Sequence, residues 1–192
     1  IRDSILITDA DCLPCSSNWA KQMSSNFNYS EIVLGYGGYQ KRKGLLNKII
    51  RFDTFNVAKQ YLSYALAGLT YMGVGRNMAY KKSLFFENKG FAKHLHIASG
   101  DDDLFIQEVA NKDNVSVEMV SDAHTTSTVI DNWKDWIYQK RRHITTAPLY
   151  KTRFKIILAV YTKAQFLLWT AIIILFMLKE PIFITSTILV LK

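Results

Sequence analysis

Ser4-Ile5-Leu6-Ile7-Thr8-Asp9-Ala10-Asp11 is the stretch that decides the fold. Its apolar, partly β-branched start reads as a short buried strand, and the run stops at two acids separated by one alanine. In an extended chain residues i and i+2 project to one side, so Asp9 and Asp11 share a face. Such a pair suits a hard divalent cation, which neutralises phosphate oxygens. It suits a turn or a helix cap equally. Ligands of open α/β sheets sit beyond the carboxyl ends of strands, which is where this pair stands.

Outward from that stretch, strand and helix patterns alternate. Pro14 and the polar Ser16-Ser17-Asn18 predict a capped helix to about Asn26. Residues 31–35 read as a second strand, and the glycine-rich 35–39 with Lys41-Arg42-Lys43 reads as a loop. Leu45, Ile49, Phe52, Val57, Leu62 and Leu66 predict one or two amphipathic helices over 45–66, with Lys48, Arg51 and Lys59 outward. That segment is too charged to span a membrane, though it suits lying on one. Residues 71–80 and 115–120 read as strands and 104–109 as a helix. The alternation predicts an α/β layered domain, and no internal repeat interrupts it.

The chain has 192 residues and a formal charge of +8, unevenly spread. Residues 1–130 carry 14 Lys/Arg against 13 Asp/Glu, whereas 131–192 carry 10 against 3. A nucleic-acid binder spreads basic charge over a folded face, so residues 1–130 argue against a nucleic-acid partner. The basic excess instead flanks residues 156–178, whose only charge is Lys163. At about 1.5 Å per residue that run reaches roughly 35 Å, enough to cross a bilayer core. Lys179-Glu180-Pro181 then turns into a second apolar run, so 151–192 reads as a transmembrane hairpin with its second helix starting near 181. The alternative is a buried helix of a soluble protein. The positive flank predicts a multi-pass protein of the inner cell membrane with its globular part, 1–150, on the cytoplasmic side. An apolar strand at the first residues and an apolar run at the last predict a fragment of a longer protein.

Two further motifs carry chemistry. Gly100-Asp101-Asp102-Asp103 crowds three acids, which suits a base or a ligand and equally a helix N-terminus, where acids favour the macrodipole. Gln139-Lys140-Arg141-Arg142-His143 places Gln139 and Arg142 on one helical face, where Arg142 suits a bidentate diphosphate contact. It also suits the plain basic flank of a membrane helix.

The order of the motifs is more specific than any one of them. A strand-end Asp-x-Asp is followed some 90 residues later by Gly-Asp-Asp, then by Gln-x-x-Arg, then by apolar spans. With Trp19, Gly73-x-Gly75-x-Asn77-x-Ala79-Tyr80 and Gly90-Phe91, this resembles the membrane-bound family 2 glycosyltransferases, the group of cellulose-, chitin- and hyaluronan-synthase-like enzymes. The resemblance covers Ile5 through the hairpin. It implies the C-terminal, acceptor-side half of a GT-A-type, Rossmann-like nucleotide-sugar transferase domain, followed by the transmembrane hairpin.

It further implies an inverting transfer from a nucleotide-sugar donor to a hydroxyl of a saccharide or lipid-linked acceptor at the membrane lipids. Asp9 and Asp11 match the motif that holds Mg2+ or Mn2+ and the donor diphosphate, with Asp11 the direct ligand. Asp102 matches the catalytic base, with Asp101 and Asp103 beside it. Gln139 and Arg142 match the Gln-x-x-Arg-Trp motif, but His143 replaces the tryptophan, which puts single addition on a par with chain building. The earlier βαβ part of such a domain, which holds base and ribose, is not among these 192 residues and is expected upstream in the longer protein.

Other signals are weaker. Cys12-x-x-Cys15 lies ahead of a helix without a second ligand pair, and reads as two reduced thiols. Gly73-x-Gly75 lacks the third glycine of a dinucleotide loop and reads as a turn or close backbone approach. His94 and His96 read as a solvated loop, His124 as an additional metal-ligand candidate, and Tyr36, Tyr39 and Trp133 as candidate sugar-stacking rings. Two other functions share these features: a membrane-anchored carbohydrate- or partner-binding module with structurally bound Ca2+, and a polymerase-like palm with two metals.

Overall fold

The computed structural model describes residues 3–93, 97 and 100–178, and of Asp101 the backbone only. His94, His96 and the second apolar run lie outside the described residues. Two compact units result, Ile1–Tyr150 and Lys151–Lys192. The first is mixed α/β and holds two sheets.

The larger sheet has the order β1-β5-β3-β6, from β1 (Ser4–Ile7), β5 (Met78–Lys81), β3 (Ile32–Gly35) and β6 (Val115–Glu118). β3 runs parallel to β6 and antiparallel to β5, and β1 pairs antiparallel with β5. β1, β3 and β6 therefore point the same way. The smaller sheet, β2-β7-β4, comprises β2 (Cys12–Pro14), β7 (Thr125–Ser127) and β4 (Gly37–Tyr39). Each parallel strand of the large sheet continues into a strand of the small one: β1 into β2, β3 into β4, β6 into β7.

Ile32, Val33 and Leu34 of central β3 are fully buried, the continuous apolar run expected of a strand covered on both faces. Met23 of α1 (Trp19–Ser25) packs with Val33, Ala79 and Ala123 on one side. Elsewhere the rings of Tyr80, Phe85, Phe91 and Phe105 meet with centroids 5.0–5.6 Å apart. Gly90, at φ +52°, packs so closely on the Phe85 ring that a Cβ would lie 2.3 Å from it.

Several elements differ from the sequence reading. Residues 45–66 form one helix, α2 (Leu45–Leu66), with Leu45, Phe52, Phe55 and Leu66 exposed on its outer face. Within 71–80 only Met78 onward is strand, because the chain folds back at Gly73–Asn77 to approach neighbouring groups. The glycine-rich loop contains β4, and the Cys-x-x-Cys segment, ahead of α1 as expected, has Cys12–Pro14 in strand β2. Asn18 does not cap α1 with its side chain; its amide reaches Asp122 at 3.3 Å. A short α3 (Lys82–Glu87) follows β5. The acids of 101–103 start α4 (Asp101–Val109), three residues earlier than the apolar pattern predicts, where they favour the helix dipole. α5 (Trp133–Ile144) has no buried residue.

The second unit holds α6 (Thr152–Met177), the one helix among the described residues long and apolar enough to cross a membrane. Its 26 residues extend about 39 Å at 1.5 Å each.

Asn77 locks the two sheets together. Fully buried, its Nδ2 donates to the carbonyls of Tyr36 (2.9 Å) and Ala123 (2.7 Å), and its Oδ1 accepts from Trp19 Nε1 (3.0 Å). Replacing Asn77 by Ala removes the side-chain partner of the Ala123 carbonyl and of the Trp19 indole N–H, and one of the two donors to the Tyr36 carbonyl, which still accepts from Thr125 N at 3.1 Å. It is expected to cost about 2 kcal/mol or more. Asn77→Asp, which turns a carboxylate oxygen toward two carbonyls, is expected to cost at least as much. Denaturant unfolding followed by tryptophan fluorescence measures both; a loss below about 1 kcal/mol would contradict the assignment.

Candidate functional site

A cleft of about 630 Å³ opens beyond the carboxyl end of β1. Asp9 and Asp11 enter it from the β1–β2 crossing, Gly75 and Arg76 from the segment before β5, Asp102 and Asp103 from α4, and Gln139, Arg142 and His143 from α5. Seven of the eight site residues that the three motifs supply thus line one cavity, and Tyr39, a candidate stacking ring, lines it too. Asp101 stands at the start of α4, and its side chain is outside the description.

Asp9 and Asp11 converge for a different reason from the one expected. The chain between β1 and β2 is a turn, closed by Cys12 N donating to Asp9 O at 3.0 Å, not an extended strand end. The turn brings carboxylate oxygens of Asp9 and Asp11 and the Cys12 sulfur within 4.8 Å of one another. Thr128 donates to Asp11 from its backbone (to O, 3.1 Å) and its hydroxyl (to Oδ2, 3.3 Å). Burial raises the pKa of the Cys12 thiol, the hydrogen bond with Ser127 (3.0 Å) opposes this, and the charges of Asp11 and Asp9 add to it. The hard donors of this group are the carboxylate oxygens of Asp9 and Asp11. Cys15 pairs with Thr126 at 2.9 Å, so both thiols serve cross-strand contacts with β7.

Asp102 is oriented by backbone. Its Oδ2 accepts from Gly75 N at 2.7 Å and its Oδ1 from Asp103 N at 2.9 Å. A Cβ on Gly75 would lie 3.2 Å from Asp9 Oδ1 and 3.4 Å from Asp102 Oδ2, so the missing side chain lets the backbone lie against both carboxylates. That is the close approach read from Gly73-x-Gly75. Asp103 is buried and accepts from the Tyr150 hydroxyl at 2.7 Å. Burial, followed by the charge and hydrogen bond of Asp103, drives the Tyr150 phenol far above its ordinary pKa, so Tyr150 is a permanent donor.

Gly100 joins α4 to the end of α5. It sits at φ +87°, and a Cβ would lie 2.1 Å from Thr146 Cγ2, so only glycine admits the approach. Gln139 Nε2 donates to Tyr39 Oη at 3.2 Å, and Lys140 forms an ion pair with Asp53 of α2. His143 is exposed on α5 and lines the cleft. Desolvation lowers its pKa below 6.5, and Arg142, Lys140 and Arg76 lower it further against the smaller opposing effect of Asp53.

Sequence reasoning gave no role of their own to Asp53, Arg76, Lys140 and Tyr150, although Lys140 stands inside the Gln139–His143 motif. Asp53 had a signal, being the one acid between Glu31 and Glu87. Tyr150 had none. Trp133 stacks edge-on against Trp136 and does not line the cleft. His124 bonds Met119 O at 3.1 Å and packs on Tyr36, away from the acids.

No family model matches this chain, and no curated protein matches it.

Because the folded state disfavours protonated His143, the unfolded state binds that proton more readily below pH 6.5. The contribution of His143 to stability is complete above its unfolded pKa and is lost as pH falls through the lower folded one. Imidazole resonances followed by NMR are expected to give His143 a midpoint below 6.5, and His143→Gln is expected to flatten the stability loss between pH 7 and pH 5. A midpoint above 6.5 would refute the desolvated, cation-flanked setting.

Proposed function

We propose that this chain carries the acceptor-side part of an inverting glycosyltransferase site of GT-A type. It moves a sugar from a nucleotide-sugar donor to a hydroxyl acceptor at the cytoplasmic face of a membrane. The observation supporting this is the convergence of Asp9, Asp11, Asp102, Gln139, Arg142 and His143, spread over more than 130 residues of sequence, on one cleft. The match of their order to the family 2 motifs supplies the chemistry.

In this reading Asp102 is the base. The Gly75 and Asp103 amides hold its carboxylate at the cleft wall. It takes the proton of the acceptor hydroxyl as that oxygen forms its bond to the anomeric carbon. The bond from that carbon to the diphosphate oxygen breaks on the opposite face. Configuration inverts, and the nucleoside diphosphate leaves with the bonding electrons. Asp9 and Asp11 offer hard oxygen donors that fit Mg2+ or Mn2+, and such an ion would neutralise the leaving diphosphate. Arg142 gives a planar fork for the same group, with Gln139 set beside it by Tyr39. His143, smaller than the family's tryptophan, fits a single addition. α6 is the first span of the anchor, and the basic residues before it set the cytoplasmic side.

The protein is to be assayed in its membranes with Mg2+ or Mn2+ and a panel of nucleotide sugars. Acceptor-dependent release of nucleoside diphosphate is expected, abolished by chelation. Asp102→Asn is expected to lower it by about 10²–10⁴-fold with donor binding kept. Undiminished transfer by Asp102→Asn would remove the base assignment. Sugar binding without nucleoside diphosphate release would make the protein a binding module instead.

A further inference from the structure

Three cations line the cleft, and they differ in what they meet. Lys140 is neutralised by Asp53. Arg142 makes no ion pair among the described residues and comes from α5. Arg76 comes from the opposite part of the sequence, and its guanidinium makes no hydrogen bond or ion pair among the described residues. Its Nη1 is sealed from solvent without a partner. A guanidinium carries five donors and does not deprotonate, so such a group keeps unspent hydrogen-bonding capacity and charge.

The backbone around Arg76 is fixed. Its carbonyl accepts from Thr8 Oγ1 at 3.1 Å and Thr125 Oγ1 at 2.8 Å, which ties the residue to the two crossings between the sheets. The guanidinium carbon lies 5.1 Å from the centre of the Tyr39 ring. The Tyr39 hydroxyl in turn meets Gln139. The side chain is thus held over a ring in the wall of a cleft that carboxylates also line, and it forms no ion pair among the described residues. It is close enough to His143 to lower that imidazole's affinity for a proton, as Arg142 does.

We propose that Arg76 is an anion-binding residue of this cleft, taking a phosphate group of the bound ligand together with Arg142. A planar fork on a ring suits phosphate oxygens bidentately. The inference rests on the transferase reading for the bearer of that phosphate, either the diphosphate of the donor or the phosphate of a lipid-linked acceptor. Through Tyr39, the seated phosphate also fixes the side chain of Gln139.

The test is calorimetric binding to the detergent-solubilised protein with saturating Mg2+, using uridine diphosphate, guanosine diphosphate and farnesyl phosphate as probes. Arg76→Met keeps an apolar stem over Tyr39 and removes the charge. Arg76→Lys keeps the charge and removes the fork. Arg142→Met is the companion. Arg76→Met is expected to weaken at least one probe by about tenfold or more, with Arg76→Lys intermediate. Loss confined to a nucleoside diphosphate assigns the anion to the donor, and loss confined to farnesyl phosphate assigns it to the acceptor. If Arg142→Met weakens binding and Arg76→Met does not, Arg76 only braces Tyr39; the proposal falls and the transferase reading stands. If the unsubstituted protein binds none of the probes, both fall. Should Arg76→Met fail to fold, Arg76→Lys decides: wild-type affinity for every probe overturns the proposal.

Discussion

The carboxamide of Asn77 is the constraint on which the rest of the structure depends. The chain passes three times from the four-stranded sheet to the three-stranded one, and every crossing interrupts the backbone pairing that strands supply. A carbonyl left unpaired in such a place costs as much as a lost hydrogen bond. Asn77 has two N–H donors and one strong acceptor, which suits three partners at once. It fills the gap at Ala123, between β6 and β7, adds a second donor at Tyr36, between β3 and β4, where Thr125 N already donates, and holds α1 through the Trp19 indole. No apolar residue of the same size does this. Trp19 and Asn77, which appear as separate fragments of pattern in the sequence, are two halves of one contact.

With those crossings fixed, the third has one place to go. The β1–β2 turn carries Asp9 and Asp11 to the same edge of the sheet, next to the segment that leads into Asn77. That segment contains Gly75, whose bare Cα admits the Asp9 and Asp102 carboxylates on either side. Like charges brought this near repel unless donors or a cation relieve them. The Gly75 amide relieves part of it at Asp102, which is why a backbone donor rather than a side chain occupies that point.

Much of this was legible in the sequence, for reasons that also mark its limits. Short apolar or alternating stretches identify β1, β3 and β6 and helical apolar spacing identifies α2, because burial of a whole face leaves a periodic trace. β2, β4 and β7 leave none. They are three residues each, rich in Gly, Thr and Cys, and they exist because the larger sheet's strands deliver them side by side. Pro14 is tolerated at the end of β2 because that strand lies at the edge of its sheet. The site residues were legible by type and order. Their partners were not, since Tyr39 with Gln139, Asp53 with Lys140, and Asp103 with Tyr150 join positions 47 to 100 residues apart, and no local pattern encodes such pairs.

The weak link in the assembly is α5, and its weakness is informative. A helix normally holds its place by burying an apolar stripe, and α5 buries none of its twelve residues. What remains is directed polar contact: the Asn132 cap on Asp135 N at 2.9 Å, the Gln139–Tyr39 bond and the half-exposed Lys140–Asp53 pair. An ion pair so open to solvent contributes about 1 kcal/mol at most. The firm attachments lie just beyond the helix, where Thr146 packs on Gly100 and Tyr150 donates to buried Asp103. Both of these partners flank Asp102. The segment that positions Gln139, Arg142 and His143 is therefore anchored to the same helix start that orients Asp102. A displacement of either moves the cationic and the acidic sides of the cleft together, so their spacing is set by one joint and not by the packing of α5.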